Sequence, residues 1–214
     1  MNGLIGRKLG MTRFFDDEGQ ALPVTVIEAG PCPVVQVKVV EGQPAAVQLG
    51  FGTRKAKRTA KALAGHAAKA NLESAPSVLR DFPLPEGESE APQLGDVVTV
   101  SIFQPGDRVK VTGTTRGKGF QGVVKRWGFS GGPKTHGSTR YRGPGSMGPG
   151  TDPSRVIKGK KLPGQTGNVR FTEIGLSIVR VDEEQNLLYI RGSIPGPRQG
   201  IVMLRKQGSR GRYA

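Results

Sequence analysis

Gly117-Lys118-Gly119-Phe120-Gln121-Gly122 carries glycines at the spacing of a dinucleotide-binding turn. That chemistry also needs a parallel strand before the turn, a helix after it and an acid about twenty residues on to hold a ribose hydroxyl. Arg140 and Arg142 stand at that distance, so the acid is missing. The glycines and Lys118 suit something simpler, the approach of backbone amides and an ammonium to phosphate groups. Cys32, the only cysteine, lies between Pro31 and Pro33, and a catalytic thiol there would need a base that only His66 or His136 could supply. It reads as structural filler, and His66 as a partly exposed packing residue. One cysteine and two histidines exclude an internal disulfide and the multi-cysteine zinc sites, so no metal site is expected. The region around the glycine turn has no paired carboxylates for acid and base work. The residues therefore predict no enzyme, no cofactor and no small-molecule substrate.

What the chain has in quantity is positive charge. Arg116, Lys118, Lys125, Arg126, Lys134, Arg140, Arg142, Arg155, Lys158, Lys160, Lys161 and Arg170 face one acid, Asp152, so this quarter holds +11 of the chain's +15. Gly131-Gly132-Pro133, Gly143-Pro144-Gly145 and Gly148-Pro149-Gly150 punctuate it, and few apolar residues recur at strand or helix period. Such a segment cannot bury enough surface to offset its chain entropy, and its cations repel one another. It needs a polyanion to order against, and an extended basic arm entering folded RNA is the first reading. From about Ser130 to Lys160 the free arm is expected to be disordered.

Aromatic residues interleave with the cations. Tyr141, between Arg140 and Arg142, is placed to stack on an unpaired base, and His136 to stack on a base or bond a phosphate. Phe120, Trp127 and Phe129 could do the same, but an arm also needs an apolar root, and these three are read as its anchors on the flanking globular part.

The flanks supply the elements that must carry this arm. Val24–Ile27, Val34–Val39 and Ala46–Phe51 alternate in period two, and further strands are expected over Val97–Phe103, Arg108–Gly113, Glu173–Val181, Leu187–Ser193 and Gly200–Leu204. Asp182-Glu183-Glu184-Gln185-Asn186 turns a hairpin. Lys57–Ala70, rich in alanine, lysine and leucine, is the one expected helix, preceded by a basic cluster at Arg54, Lys55, Lys57, Arg58 and Lys61. Glu86–Pro92 reads as an acidic surface loop. The fold class is mainly β, a small barrel or sandwich closing on itself, with 1–115 and 171–206 as the globular part, a helix and acidic loop inserted at about 54–95, the arm at 116–170 and a basic tail at 207–214. The N-terminus meets charge too early for a signal peptide and no run reaches the length of a membrane span, which predicts a cytoplasmic location and no membrane partner.

Longer strings are more specific. Gly3-Leu4-Ile5-Gly6-Arg7-Lys8-Leu9-Gly10-Met11-Thr12-Arg13, Pro23–Ile27, Val111–Phe120, Val124–Trp127, Thr135-His136-Gly137, Pro144-Gly145-Ser146 and Lys158–Lys161 resemble, in order and at fitting spacing, the bacterial form of the third protein of the large ribosomal subunit. The resemblance runs from Met1 to about Arg205. It implies a closed β-barrel of the translation-protein type and a long loop threading 23S rRNA towards the peptidyl transferase centre. It also implies an early role in subunit assembly and contacts with neighbouring ribosomal proteins. The part nearest that centre would be Gly145, Ser146, Met147, Gly148, Pro149, Gly150, Thr151 and Asp152. Many relatives carry a glutamine there that is methylated on its side-chain amide; Pro149 has no amide to modify. Two other readings stay open on the residues alone, a barrel-based enzyme or translation-factor-like nucleotide binder using the Gly117–Gly122 turn, and a free RNA chaperone.

Overall fold

A computed structural model describes residues 1–16, 18–40, 43–84 and 92–207. The part of the acidic loop at 86–91 and the tail beyond Gln207 lie outside the described residues. The chain forms two compact units, one of Met1–Thr114 with the chain from Arg170 onward, the other of Thr115–Val169.

The first unit is mainly β. Its strands are β1 (Gly3–Phe15), β2 (Ala21–Ala29), β3 (Cys32–Val40), β4 (Gln43–Thr53), β5 (Pro76–Pro83), β6 (Val97–Val98) and β7 (Arg108–Thr114). The second unit contributes β8 (Gly119–Gln121) and β9 (Gly164–Thr166), and the first resumes with β10 (Arg170–Asp182), β11 (Leu187–Arg191) and β12 (Ile201–Lys206). Six of these form a closed antiparallel ring in the order β1-β12-β7-β10-β11-β2, which leaves no free end strand in that sheet. Leu4, Ile5, Ile27, Val109, Val111, Ile178, Leu188, Ile190, Val202 and Leu204 are buried in the unit's core.

The expected central strands do not all enter the ring. β3 and β4 form, but they belong to a separate four-stranded sheet, β5-β4-β3-β6, whose Val34, Val47, Leu49 and Phe82 join the same core. The strand expected over Val97–Phe103 is cut short: only Val97 and Val98 pair, opposite Pro33 and Cys32. Val100–Ile102 turns into a single 3-10 turn closed by the Phe103 N–H on the Val100 carbonyl, 2.9 Å. Burying both Val100 and Phe103 demands that turn, and it overrides the β preference of the run. The expected helix over Lys57–Ala70 divides into a 3-10 turn at Ala56–Arg58 and α1 (Lys61–Lys69), which buries Ala67. His66 is half-buried and hydrogen-bonded through Nε2 to Gln48 Oε1, 2.7 Å.

Two elements of the unit escape a periodicity reading. β1 is interrupted by Gly6, Arg7, Lys8 and Gly10, yet it is the hub that pairs with both β2 and β12. A Cβ at Gly6 would come within 2.7 Å of Ile27 and 2.9 Å of the Glu28 carbonyl, so the glycine marks close strand packing rather than a break. Lys8 is buried, its Nζ donating to the Ile194 carbonyl at 3.0 Å and the Gly196 carbonyl at 3.3 Å, and burial lowers its pKa. Cys32 is also buried; desolvation pushes its thiol up to about 11 despite a contact to the Ile5 carbonyl, 3.4 Å, which removes it as a nucleophile. No helix among the described residues is long and apolar enough to cross a membrane.

Where β12 pairs with β7, Lys206 at the end of β12 adds an ion pair to the ladder, its Nζ 2.8 Å from Asp107 Oδ2 just before β7. The hydrogen bond from Lys206, then one from the Gln104 N–H at 3.0 Å, hold the Asp107 carboxyl below its ordinary value of 3.8. A carboxylate lowered in the folded state stabilises above its unfolded pKa and loses that contribution as pH falls through the folded one. Asp107→Asn should therefore lower the melting temperature at neutral pH, and the gap to wild type should shrink between about pH 5 and about pH 2. Thermal unfolding of both proteins followed by circular dichroism checks it; a gap constant with pH would deny the ion pair its role.

Candidate nucleic-acid interface

Thr115–Val169 sits in the chain between β7 and β10, which are paired with Thr114 opposite Arg170. Its root is a narrow ladder. The Thr115 N–H donates to the Val169 carbonyl at 2.9 Å, the Asn168 N–H to the Thr115 carbonyl at 3.1 Å and the Lys118 N–H to the Thr166 carbonyl at 2.9 Å. β8 and β9 then pair in the register Gly119–Thr166, Phe120–Gln165, Gln121–Gly164. A short helix, α2 (Val123–Trp127), follows and ends at Gly128, whose φ of 76° is the left-handed cap. Beyond it, from Gly128 to Pro163, the chain runs in turns with neither strand nor helix.

The three expected anchors differ in exposure. Phe120 is 74% exposed and Trp127 43%. Trp127 Nε1 donates to the Leu162 carbonyl at 2.9 Å, and Arg126 Nη1 donates to the same oxygen at 2.8 Å. The Arg126 guanidinium and Lys161 ammonium lie 5.0 and 5.7 Å from the Trp127 ring centroid. The indole thus ties the outgoing and returning limbs of the segment to each other. Its π face gathers two cations that would otherwise repel, which an aliphatic side chain could not do. Phe129 is half-buried.

Farther out the backbone clasps itself. The Gly132 N–H donates to the Tyr141 carbonyl at 3.1 Å, and a Cβ at Gly132 or Gly131 would overlap the carbonyl oxygens of Arg140 or Tyr141. Only glycine allows this crossing. It presents Arg140, Tyr141 and Arg142 to solvent, with Tyr141 53% exposed. His136 is exposed in a left-handed turn, φ 59°. At the tip, Gly145–Asp152 is exposed throughout, Met147 by 47%; the Gly148 N–H reaches Ser146 Oγ at 3.4 Å and Ser154 Oγ donates to the Thr151 carbonyl.

Arg116, Lys118, Lys125, Lys134, Arg140, Arg142, Arg155, Lys158, Lys160 and Lys161 are all exposed, and Arg126 is half-buried. None of them is ion-paired with a carboxylate among the described residues. The glycine turn fails as a nucleotide site on geometry as well as on its missing acid. Its glycines fall inside and beside a strand that pairs antiparallel, not at the end of a parallel one. Among the described residues no cluster of histidine, cysteine, aspartate or glutamate could hold a metal ion. Sequence reasoning missed the returning limb, where the Leu162 carbonyl and Thr166 complete the root; no charge or period marks them.

A mainly β unit carrying a long, unneutralised cationic segment defines a class of charge-presenting structural proteins. A family model for ribosomal protein L3 matches residues 89–187. The large ribosomal subunit protein uL3 of Geobacter metallireducens is 50% identical over 204 residues, covering 95% of this chain and 96% of that protein. Those of Chromohalobacter salexigens and Syntrophobacter fumaroxidans are 51% and 45% identical over 205 and 207 residues, covering 95% and 96% of this chain and 96% and 97% of theirs. The chain belongs to the ribosomal protein L3 family, whose members are structural proteins and not enzymes.

The clasp makes a direct claim on proteolysis. Gly132→Ala forces the backbone away from the Arg140 carbonyl, so trypsin should cut the free protein after Arg140 and Arg142 several-fold faster than wild type, with the thermal transition of the first unit unchanged. Equal cleavage rates would show that the crossing does not order the segment.

Proposed function

We propose that this protein is a structural constituent of the large ribosomal subunit that binds 23S rRNA through Thr115–Val169. The observation that carries the reading is the set of eleven cations of that segment with one acid, ten of them exposed and Arg126 half-buried, without carboxylate partners among the described residues. A polyanion is the partner that neutralises them, and counterion release drives the association. Arg116, Lys118, Lys125, Arg126, Lys134, Arg140, Arg142, Arg155, Lys158, Lys160 and Lys161 contact phosphates, and His136 and Tyr141 add stacking on unpaired bases. The family relationship supports the ribosomal destination. Under the same reading the closed ring is a barrel of the translation-protein type, docked on the subunit surface beside neighbouring ribosomal proteins in the cytoplasm. The segment nucleates early assembly, and its tip, Gly145–Asp152, approaches the peptidyl transferase centre. The tip shapes that centre without entering its chemistry: Ser146, Met147 and Thr151 are neutral, and Asp152 is a lone acid among cations.

Co-sedimentation with large subunits through a high-salt wash tests residence in the particle; release into the supernatant would favour a free RNA chaperone. For the purified protein on 23S rRNA, neutralising eight to ten phosphates gives a log–log salt slope of about −6 to −9. A slope near −2 would leave the cations merely solvated. In assembled particles, Gly148→Arg should alter sensitivity to antibiotics that bind the peptidyl transferase centre, while Asp152→Asn should leave peptide-bond formation within about twofold of wild type, at most a few tenths of a kcal/mol in barrier. Loss of peptidyl transfer in correctly assembled Asp152→Asn particles would overturn the structural reading.

A further inference from the structure

The root of the segment encloses more than a ladder. Lys118, Gln121, Lys125 and Thr166 line a cavity of about 300 Å³. β8 and β9 bring Gly119 opposite Thr166, the Lys118 N–H holds the Thr166 carbonyl, and Gln121 Nε2 donates back to the Lys118 carbonyl, so the turn is closed by its own side chain. α2 supplies Lys125.

Two properties of this lining point to one kind of ligand. Two of its four lining residues are lysines and none is acidic, and like charges around one cavity repel. Thr166 Oγ1 is buried and has no hydrogen-bond partner, which is a free-energy cost for a hydroxyl. An anion bearing several acceptor oxygens answers both. The lining has no aromatic ring on which a base could stack, and lysine and threonine are among the usual contacts of nucleic-acid phosphates.

We infer that this cavity is a socket for a single backbone phosphate of folded RNA, with Lys118 and Lys125 neutralising it and Thr166 Oγ1–H donating to a non-bridging oxygen. The inference rests on the reading of the protein as an rRNA binder and adds a built, sequence-independent anchor at the foot of the segment. It also gives the Gly117–Gly122 turn a purpose: its backbone closes the socket in place of cradling a dinucleotide.

The test uses the full chain and a 23S rRNA transcript, with affinity measured across chloride concentrations. Thr166→Val keeps shape and charge, and should lower affinity roughly tenfold with the salt slope unchanged, whereas Thr166→Ser should bind as wild type. Lys125→Gln should weaken binding and flatten the slope by about 0.7 to 0.9. Because both groups hold one phosphate, Thr166→Val with Lys125→Gln should lose clearly less than the product of the single losses. Lys158→Gln, away from the cavity, should combine multiplicatively with Thr166→Val. Wild-type affinity in Thr166→Val, equal loss in Thr166→Ser, or full multiplicativity with Lys125→Gln would each overturn the socket while leaving rRNA binding intact. Replacing chloride by inorganic phosphate at equal ionic strength should preserve the Thr166→Val deficit; its disappearance would reassign the cavity to the free anion. Should Thr166→Val lose its cooperative thermal transition, the coupling between Lys118→Gln and Lys125→Gln decides in its place, and independence of that pair refutes the socket. A wild-type protein that binds no rRNA would instead refute the function itself.

Discussion

Electrostatic repulsion within Thr115–Val169 is the constraint to which the rest of the molecule answers. Eleven cations lie along fifty-five residues with one carboxylate and no strand or helix beyond Trp127 until the chain returns at Gly164. At surface dielectric each close pair costs on the order of a kcal/mol, and salt screens it only beyond about 10 Å. The segment's internal devices all reduce that repulsion or hold the backbone against it. The Trp127 ring accommodates Arg126 and Lys161; the Leu162 carbonyl takes two N–H groups; Gly132 crosses the Arg140–Tyr141 backbone. The closed ring of the first unit, by contrast, has a continuous apolar core.

That division explains why the structural family has no catalytic apparatus. A reactive group needs an environment that shifts its pKa and fixes its geometry. The one cysteine is buried with its thiol pushed to about 11, and His66 is tied to Gln48. The carboxyls whose pKa is lowered, Asp81 by Lys38 and Asp107 by Lys206, serve strand-to-strand ion pairs. Among the described residues of the first unit, burial and these ion pairs account for the perturbed groups.

Charge and glycine distribution made the segment legible in the sequence, since both are read without knowing contacts. The reading of short apolar runs bounded by turns likewise revealed β7, β10, β11, β12 and the hairpin at Asp182–Asn186; β7, β11 and β12 alternate buried with more exposed positions, while β10 buries Ile178. It failed where burial takes a different form. β1 looks broken because Gly6 and a buried Lys8 stand where apolar residues would, and both choices are dictated by partners far along the chain, Ile27 and Ile194. Val97–Phe103 looked continuous because a 3-10 turn can bury Val100 and Phe103 as well as a strand can. Trp127 was read from its apolar area alone; the engagement of its N–H and its π face by Leu162, Arg126 and Lys161 needs a carbonyl and cations that only the fold brings to hand. The Thr166 hydroxyl was invisible, because an orphaned donor exists only once a fold has closed around it.

The pairing of β1 with β12 joins residues 3–7 to residues 201–205. A chain made from its N-terminus therefore completes Thr115–Val169 before the ring that carries it can close. During synthesis the cationic segment is available while its mount is still an open sheet with a waiting edge at β1. Any RNA present at that moment meets the charge first and the finished globular unit second. The covalent order of the chain thus sets charge before closure: the cations of Thr115–Val169 are complete before the last strand of the ring exists.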